Sequence, residues 1–247
     1  MLIINADDLG RSEKATDNFI ACYSHGLISS ASAMVFMQES QRAAELATTA
    51  GLDTGLHLNL TLAFNGPNLR PWLREQHLSI VGYFCSSKWA QIIYNPLLKK
   101  RLDYVFKAQY DEYCRLFNKE PAQIDGHHHM HLSMNIIFGR IIPPGLCIRR
   151  NFSFGSGEKD ILNRFYRQLV DKWLVRNYRC TDYFFSLETS YDPQRLSKII
   201  GLAFSFNVEL MVHPERIETF NYLMSNHYRD VIKDVPKGTY RMLPHPV

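Results

Sequence analysis

Along this chain, short apolar runs end in polar clusters, and each cluster leads into a stretch with helical spacing. Leu2-Ile3-Ile4-Asn5-Ala6 predicts a buried strand ending at Asp7-Asp8-Leu9-Gly10. From Ser12, with Glu13 and Thr16, the apolar positions Phe19, Ile20 and Tyr23 predict a helix closed by His25-Gly26. Residues 27–37 predict a second strand with its approach, and the alanine-rich 40–50 a helix. Residues 51–61 alternate, with Leu56, Leu58 and Leu60 on one face and His57, Asn59 and Thr61 on the other. Turn chemistry at Asn65-Gly66-Pro67 and Pro71 predicts a loop over 63–74. Residues 86–118 read as mainly helical, with Pro96 at a boundary and an aromatic series (Tyr104, Phe106, Tyr110, Tyr113, Phe117) that suits core packing. Ala122-Gln123-Ile124 then leads, strand-like, into Asp125-Gly126-His127-His128-His129-Met130-His131.

Beyond that cluster the pattern predicts a helix at 134–140 and a short strand at 146–148 that ends in Arg149-Arg150. An amphipathic helix follows over 151–181, around Leu162, Phe165, Leu169 and Trp173. A strand at 182–187, a helix at 194–202 and a buried strand at 208–212 complete the series, the last ending in His213-Pro214-Glu215. Strands and helices alternate throughout. This predicts one α/β domain over residues 1–247, built on a mainly parallel sheet or barrel.

Composition narrows the class. A chain of 247 residues with 46% hydrophobic and 21% charged residues can bury a full core and is not a disordered profile. The formal charge of +4 comes from scattered basic residues, with Lys99-Lys100-Arg101 and Arg149-Arg150 as short clusters, so no nucleic-acid footprint is expected. No apolar run has the length of a membrane span, and the N-terminal residues carry no secretory pattern. Five well-separated cysteines without a CxxC motif fit a reducing, cytoplasmic setting.

The histidines change the picture most. Four of the ten fall between 127 and 131, after an aspartate and inside the chain, unlike a terminal tag. If the strand continued through them, Asp125, His127 and His129 would point one way and His128 the other. Asp7-Asp8, His57, the cluster and His213 all sit on or at the end of predicted strands, and an α/β barrel brings such ends to one face. One carboxylate and two histidines suit one divalent metal with open positions, on donor grounds zinc, manganese, cobalt or iron more than magnesium. A second carboxylate would take a proton from water, and a protonated histidine would supply one to a leaving group. Each piece also has a plainer reading: a turn at Asp7-Asp8, a surface polar residue at His57. His25, His77, His227 and His245 read as solvated or structural.

These residues carry a family resemblance. Asn5 to Gly10, Gly26-Leu27-Ile28-Ser29-Ser30, Gly55 to Thr61, Asp125 to His131 and Val212-His213-Pro214 come in the order found in the YdjC/ChbG family of carbohydrate deacetylases, which the sequence resembles over about positions 1–215. The resemblance implies an irregular (β/α) barrel of the glycoside hydrolase/deacetylase type. It also implies metal-dependent removal of an acetyl group from an N-acetylated sugar or chitooligosaccharide, with magnesium or zinc as the ion. Carried over by position, Asp8, His57 and His127 would bind the metal. Asp7 would be the general base and His213 the general acid or oxyanion partner. His129 and His131 become candidates beside the ligands or facing the substrate, Asp125 would orient an imidazole, and Arg149 lies near a family arginine. A homodimer would fit the family. Gly126 stands where the family often has serine or threonine, and the middle and last thirds match only weakly. A phosphoesterase, another amidohydrolase or a non-catalytic carbohydrate-binding protein on the same barrel are the alternative readings.

Overall fold

The computed structural model describes residues 1–153 and 161–244. Strand β1 (Leu2–Leu9) is buried along its whole length and lies at the centre of the sheet. Helix α1 (Glu13–Ser24) follows it, then β2 (Ser30–Ala33), α2 (Ser40–Ala50) and β3 (Asp53–Leu58). The middle of the chain forms α3 (Pro71–Ser86), α4 (Lys99–Phe117), β4 (Ile124–Gly126) and α5 (Met134–Gly139). The last third forms α6 (Ile161–Asn177), β5 (Tyr183–Ser186), α7 (Pro193–Leu202), β6 (Val208–Val212), α8 (Ile217–Met224) and α9 (Asn226–Ile232).

The strands lie in the order β4-β3-β2-β1-β6-β5, and every neighbouring pair is parallel. Between the two edge strands, residues 146–153 carry the wall onward. Ile148 bridges Ile124, Cys147 bridges Arg179, and Ser153 N donates to Phe184 O at 2.8 Å. The six strands thus curl into a half-barrel whose open side is spanned by irregular pairing, the expected irregular (β/α) barrel of mainly parallel strands.

Local chemistry accounts for many of the boundaries. Ser12 Oγ accepts from Ala15 N at 3.2 Å and starts α1. Gly26, at φ 66, lets Leu27 N reach back to Cys22 O at 2.9 Å and ends it. The strand expected over 27–37 contracts to β2, because Phe36 takes a positive φ and Ser40 Oγ accepts from Met37 N, turning the chain into α2. The loop expected over 63–74 ends early: Pro71 occupies the first turn of α3, where its missing N–H is harmless. Residues 86–118 are not one helix. Ser87 and Asn95 cap short 3₁₀ turns at 88–91 and 96–98 before α4 begins. Phe106, Tyr113 and Phe117 of the aromatic series are core, as expected. The segment expected as a helix over 151–181 enters as extended chain at 151–153, since Ser153 pairs with β5. Its residues 154–160 lie outside the described residues, as does His245.

The barrel interior is layered. Ile3, Ala122, Cys147, Tyr240 and Leu243 form an apolar plug at the end where β1 begins. Next along the strands come polar residues, with Asn5 Nδ2 and Gln123 Nε2 donating to Ser32 Oγ at 2.7 and 2.6 Å. The charged groups of the site cap this layer, where β1, β3, β4 and β6 end. Leu2, Ile4 and Ala6 point the other way into the main core under the helices, with Phe19, Leu56 and Val208. Each leucine, isoleucine, valine or phenylalanine side chain among them contributes roughly 1.5–3 kcal/mol on burial. That core is the support on which a polar interior can be held.

Candidate metal centre and active site

Two adjacent aspartates serve different purposes because β1 is bulged between them. The pairing with β2 slips between Asp7 and Leu9, and Asp8 takes φ 78. A non-glycine residue in this region costs roughly 1–3 kcal/mol and is found where a site requires it. The bulge sends Asp7 to Arg149 and Asp8 to the histidines.

Asp8 Oδ1 lies 3.2 Å from His57 Nε2 and 2.9 Å from His127 Nδ1. Ligand atoms of these three residues all fall within 4.8 Å of one another, and all three residues are buried. Asp8 Oδ1 has no hydrogen bond of good geometry among the described residues. A buried carboxylate oxygen without a hydrogen bond among the described residues, facing two imidazole nitrogens, could hold a divalent cation, and the residues present fit one. Burial works against the charge on Asp8, but the flanking imidazoles of His127 and His57 hold its carboxyl well below the usual range.

His57 is oriented from behind. Its Nδ1 lies 2.8 Å from Asp125 Oδ1, and since an ionised carboxylate only accepts, Nδ1 carries the proton and Nε2 faces Asp8. Burial opposes a charge on His57, but Asp125 and Asp8 outweigh it and push its pKa up to about 10. The turn after β3 holds this strand end in place. Asn59 N donates to Gln109 Oε1 at 2.8 Å, and Asn59 O receives Gln109 Nε2 and His77 Nε2, each at 3.0 Å.

Arg149 is the hub of the interior. Fully buried, it donates to both oxygens of Asp7 at 2.6 Å, lies 2.7 Å from Asp125 Oδ2 and 2.6 Å from Glu209 Oε1, and sits over the Phe184 ring at 4.9 Å. Burial disfavours the Asp125 charge, but Arg149 and His57 bring its pKa down to about 2. Glu209 is less compensated: burial raises its pKa to about 7 despite Arg149. Asp7, His57 and Asp125 also bring ligand atoms within 4.8 Å of one another. The guanidinium already neutralises both carboxylates of that group, so it is not an open cation site.

The histidine run does not continue as a strand. It turns at Gly126 into a 3₁₀ segment in which His128 and His129 have φ of 54 and 58. Gly126 is needed there: a Cβ would lie 2.9 Å from His131 N. The turn aims each histidine separately. His127 faces Asp8, and His128 Nδ1 lies 3.0 Å from Thr61 Oγ1. His129 packs edge-on against Phe152 and Phe184, its Nδ1 without a hydrogen bond among the described residues, and His131 Nε2 lies 3.1 Å from Arg149 O. Burial, with Arg149 nearby, takes the pKa of both His129 and His131 down to about 3, so both rings are neutral.

His213 ends β6 on the opposite wall. Its Nδ1 lies 2.8 Å from Glu188 Oε1, in the turn after β5. Burial lowers its pKa, but the Glu188 hydrogen bond and the charges of Glu188 and Asp7 outweigh this and leave it raised. A cavity of about 360 Å³ opens among Asp7, Asp8, His57, His127, His129 and His213, with Arg11, Glu188 and Glu215 at its rim. Arg11 spans Asp8 Oδ2 at 3.2 Å and Glu215 Oε2 at 3.3 Å. A larger groove of about 940 Å³, between Met37, Gly66 and Tyr104, contains none of these residues.

The structure therefore gathers Asp7, Asp8, His57, His127, His129 and His213 at one cavity. Asp125 and Arg149 lie directly behind it, and His131 is buried beneath, away from the cavity. Sequence reasoning missed Glu188, Glu209 and Arg11. Glu188 follows the predicted strand 182–187 by one residue, so the strand-end rule applied elsewhere would have found it.

Fold and site together define a parallel α/β barrel with a candidate metal centre where its strands end. A family model described as YdjC-like protein matches residues 1–237, and the chain belongs to that family. A chitooligosaccharide deacetylase of Serratia marcescens is 34% identical over 139 residues, covering 55% of this chain and 52% of the relative. Its namesake in Klebsiella pneumoniae is 30% identical over 171 residues, 69% of this chain and 61% of the relative. These matches span about half to three-fifths of the relatives' own length. A crystal structure from Enterococcus faecalis V583, described as a cellobiose-phosphate cleavage protein, superposes with a TM-score of 0.63 over 97% of both chains at 20% identity, a likeness of fold alone. Among the described residues, no helix is long and apolar enough to cross a membrane.

Proposed function

We propose that this protein is a metal-dependent carbohydrate deacetylase that hydrolyses the acetamido group of an N-acetylated sugar or chitooligosaccharide. The observation that carries the reading is the convergence of Asp8 Oδ1, His57 Nε2 and His127 Nδ1, with the Asp8 oxygen buried and without a hydrogen bond among the described residues. The family membership and the names of the relatives support the substrate class.

Asp8, His57 and His127 would hold one divalent ion. Such an ion acidifies a water molecule and polarises the amide carbonyl. Asp7 takes the proton from the attacking water. Its carboxylate is fixed by the two bonds from Arg149 and one from Asn5 Nδ2 at 2.9 Å, and it keeps further lone pairs for the cavity it lines. His213, facing across the cavity, donates to the carbonyl oxygen as negative charge develops there and then protonates the amine as the C–N bond breaks. Arg149 and Asp125 position the base and one ligand. His129, backed by Phe152 and Phe184, presents its neutral ring to the cavity, where the acetyl methyl would pack against it. Two-metal phosphoester hydrolysis is less well supported, because Arg149 occupies the only other group of clustered ligand atoms among the described residues.

Acetate release from N-acetylglucosamine oligomers, with magnesium, zinc, manganese or cobalt added in turn, tests the reading and selects the ion. Release that depends on the ion supports it; no release with any of them refutes it. A homodimer, proposed from the family resemblance, is measurable by light scattering of the same samples.

A further inference from the structure

The proton donor in the proposed reaction is held by a residue that no motif pointed to. Glu188 lies in the turn at 187–189 directly after β5, beside the end of β6. One of its oxygens, Oε1, accepts both from the backbone N of His213 at 3.0 Å and from His213 Nδ1 at 2.8 Å. The other, Oε2, accepts from Ser186 Oγ at 2.5 Å. Three donors therefore fix one carboxylate, and two of them come from the same residue. The pair is mostly shielded, with 20% of the His213 side chain and 15% of the Glu188 side chain exposed.

The consequence follows from hydrogen-bond chemistry. A carboxylate accepts only, so Nδ1 of His213 must carry a proton in either charge state. The titrating atom is then Nε2. We infer that Glu188 is a positioning residue: it locks the tautomer of His213, favours the charged form of its ring and thereby sets the alkaline limit of turnover. This rests on the reading of His213 as the acid in the deacetylation proposed above.

The other charged groups around His213 are Asp7 and Asp8 on β1, with Arg11, Glu215 and Arg216 on the loops that line the same cavity. Among the described residues, Glu188 is the one that hydrogen-bonds the His213 ring directly. A merely structural strap between β5 and β6 would need the same hydrogen bonds but not the charge, and this difference is what can be measured.

Glu188→Gln keeps an oxygen to accept both bonds from His213, and Ser186 Oγ can turn to accept from the new amide. Only the charge is lost. The test is an NMR titration of the His213 ring in the full chain and in this variant, alongside the pH profile of kcat/KM for acetate release. The His213 pKa should fall by about one unit or more, the range for losing an adjacent opposite charge. The alkaline limb of the profile should move down by the same amount, with KM and metal content unchanged. Ser186→Ala, which loosens Glu188 without touching His213, should move both readouts the same way by less. An unmoved His213 pKa in Glu188→Gln overturns the inference, and so does a moved pKa with an alkaline limb that stays in place. Absence of acetate release from the parent chain would instead refute the deacetylase reading, while the NMR titration still decides whether Glu188 controls His213.

Discussion

Asp125 Oδ1 accepts the Nδ1 proton of His57 at 2.8 Å, while its other oxygen lies 2.7 Å from the guanidinium of Arg149. One buried carboxylate thus joins the proposed ligand set to the interior ion network. Carboxylates behind ligating imidazoles typically account for 10–100-fold in metal affinity. Asp125→Asn should weaken binding by that order while leaving Asp8, His57 and His127 in place. A metal titration at constant pH measures this, and equal affinity in the two proteins would show that the carboxylate does not act through His57.

Asp7 takes no part in the Asp8–His57–His127 group, because the bulge at Asp8 separates the neighbours. Asp7→Asn should therefore keep its metal and lose turnover by roughly 10²–10⁴-fold, the usual loss for a missing base. Steady-state kinetics on metal-loaded variant decide the point. A variant with near-parent kcat would remove Asp7 from the role of base.

Arg149 lies between Asp7, Asp125 and Glu209 with no exposed surface. Replacing it with methionine keeps much of its volume and leaves those carboxylates facing one another. Arg149→Met should cost about 3–5 kcal/mol in unfolding free energy, the range for a buried pair that loses one partner. Urea denaturation checks this. A loss below about 1 kcal/mol would mean that the carboxylates are solvated or protonated at little cost, contrary to their burial.

His77 sets a pH dependence outside the site. It is fully buried, stacks on Phe64 at 3.5 Å, and burial brings its pKa from 6.5 down to about 4 against the hydrogen bond to Asn59 O. A depressed folded pKa means that its contribution is complete above pH 6.5 and is lost as pH falls toward 4. Stability should decline across that window, with His77 responsible for up to about 1.4 kcal/mol per pH unit. In His77→Gln, which retains a donor for Asn59 O, the slope of unfolding free energy against pH should be shallower by that term. Identical slopes would place the acid sensitivity elsewhere.

The barrel was legible in the sequence because its strands are short apolar runs, each ending in a polar cluster, with helices between them. The strand-end rule brought Asp7-Asp8, His57, the histidine cluster and His213 to one face, and the family resemblance singled out Asp8, His57 and His127 among them. What stayed hidden depends on the backbone departing from regular elements. No pattern announces the bulge that separates Asp7 from Asp8, or the left-handed His128 and His129 that replace the expected strand. Gly126 looked like a minor departure from the family; it is the point where the turn passes within van der Waals contact of its own His131. Arg149 was placed near the site from the resemblance, but its three carboxylate partners come from β1, β4 and β6, and only folding assembles them. Glu188 carries no motif, but as the residue after the strand predicted at 182–187 it was within reach of the strand-end rule, which was not applied there.

Elemental analysis of the purified parent chain beside His57→Ala and His127→Ala reads out the metal centre most directly. The account predicts about one divalent ion per parent chain and its loss from both variants, with far-UV circular dichroism unchanged. Stoichiometric metal in both variants would contradict the ligand set at the centre of the account.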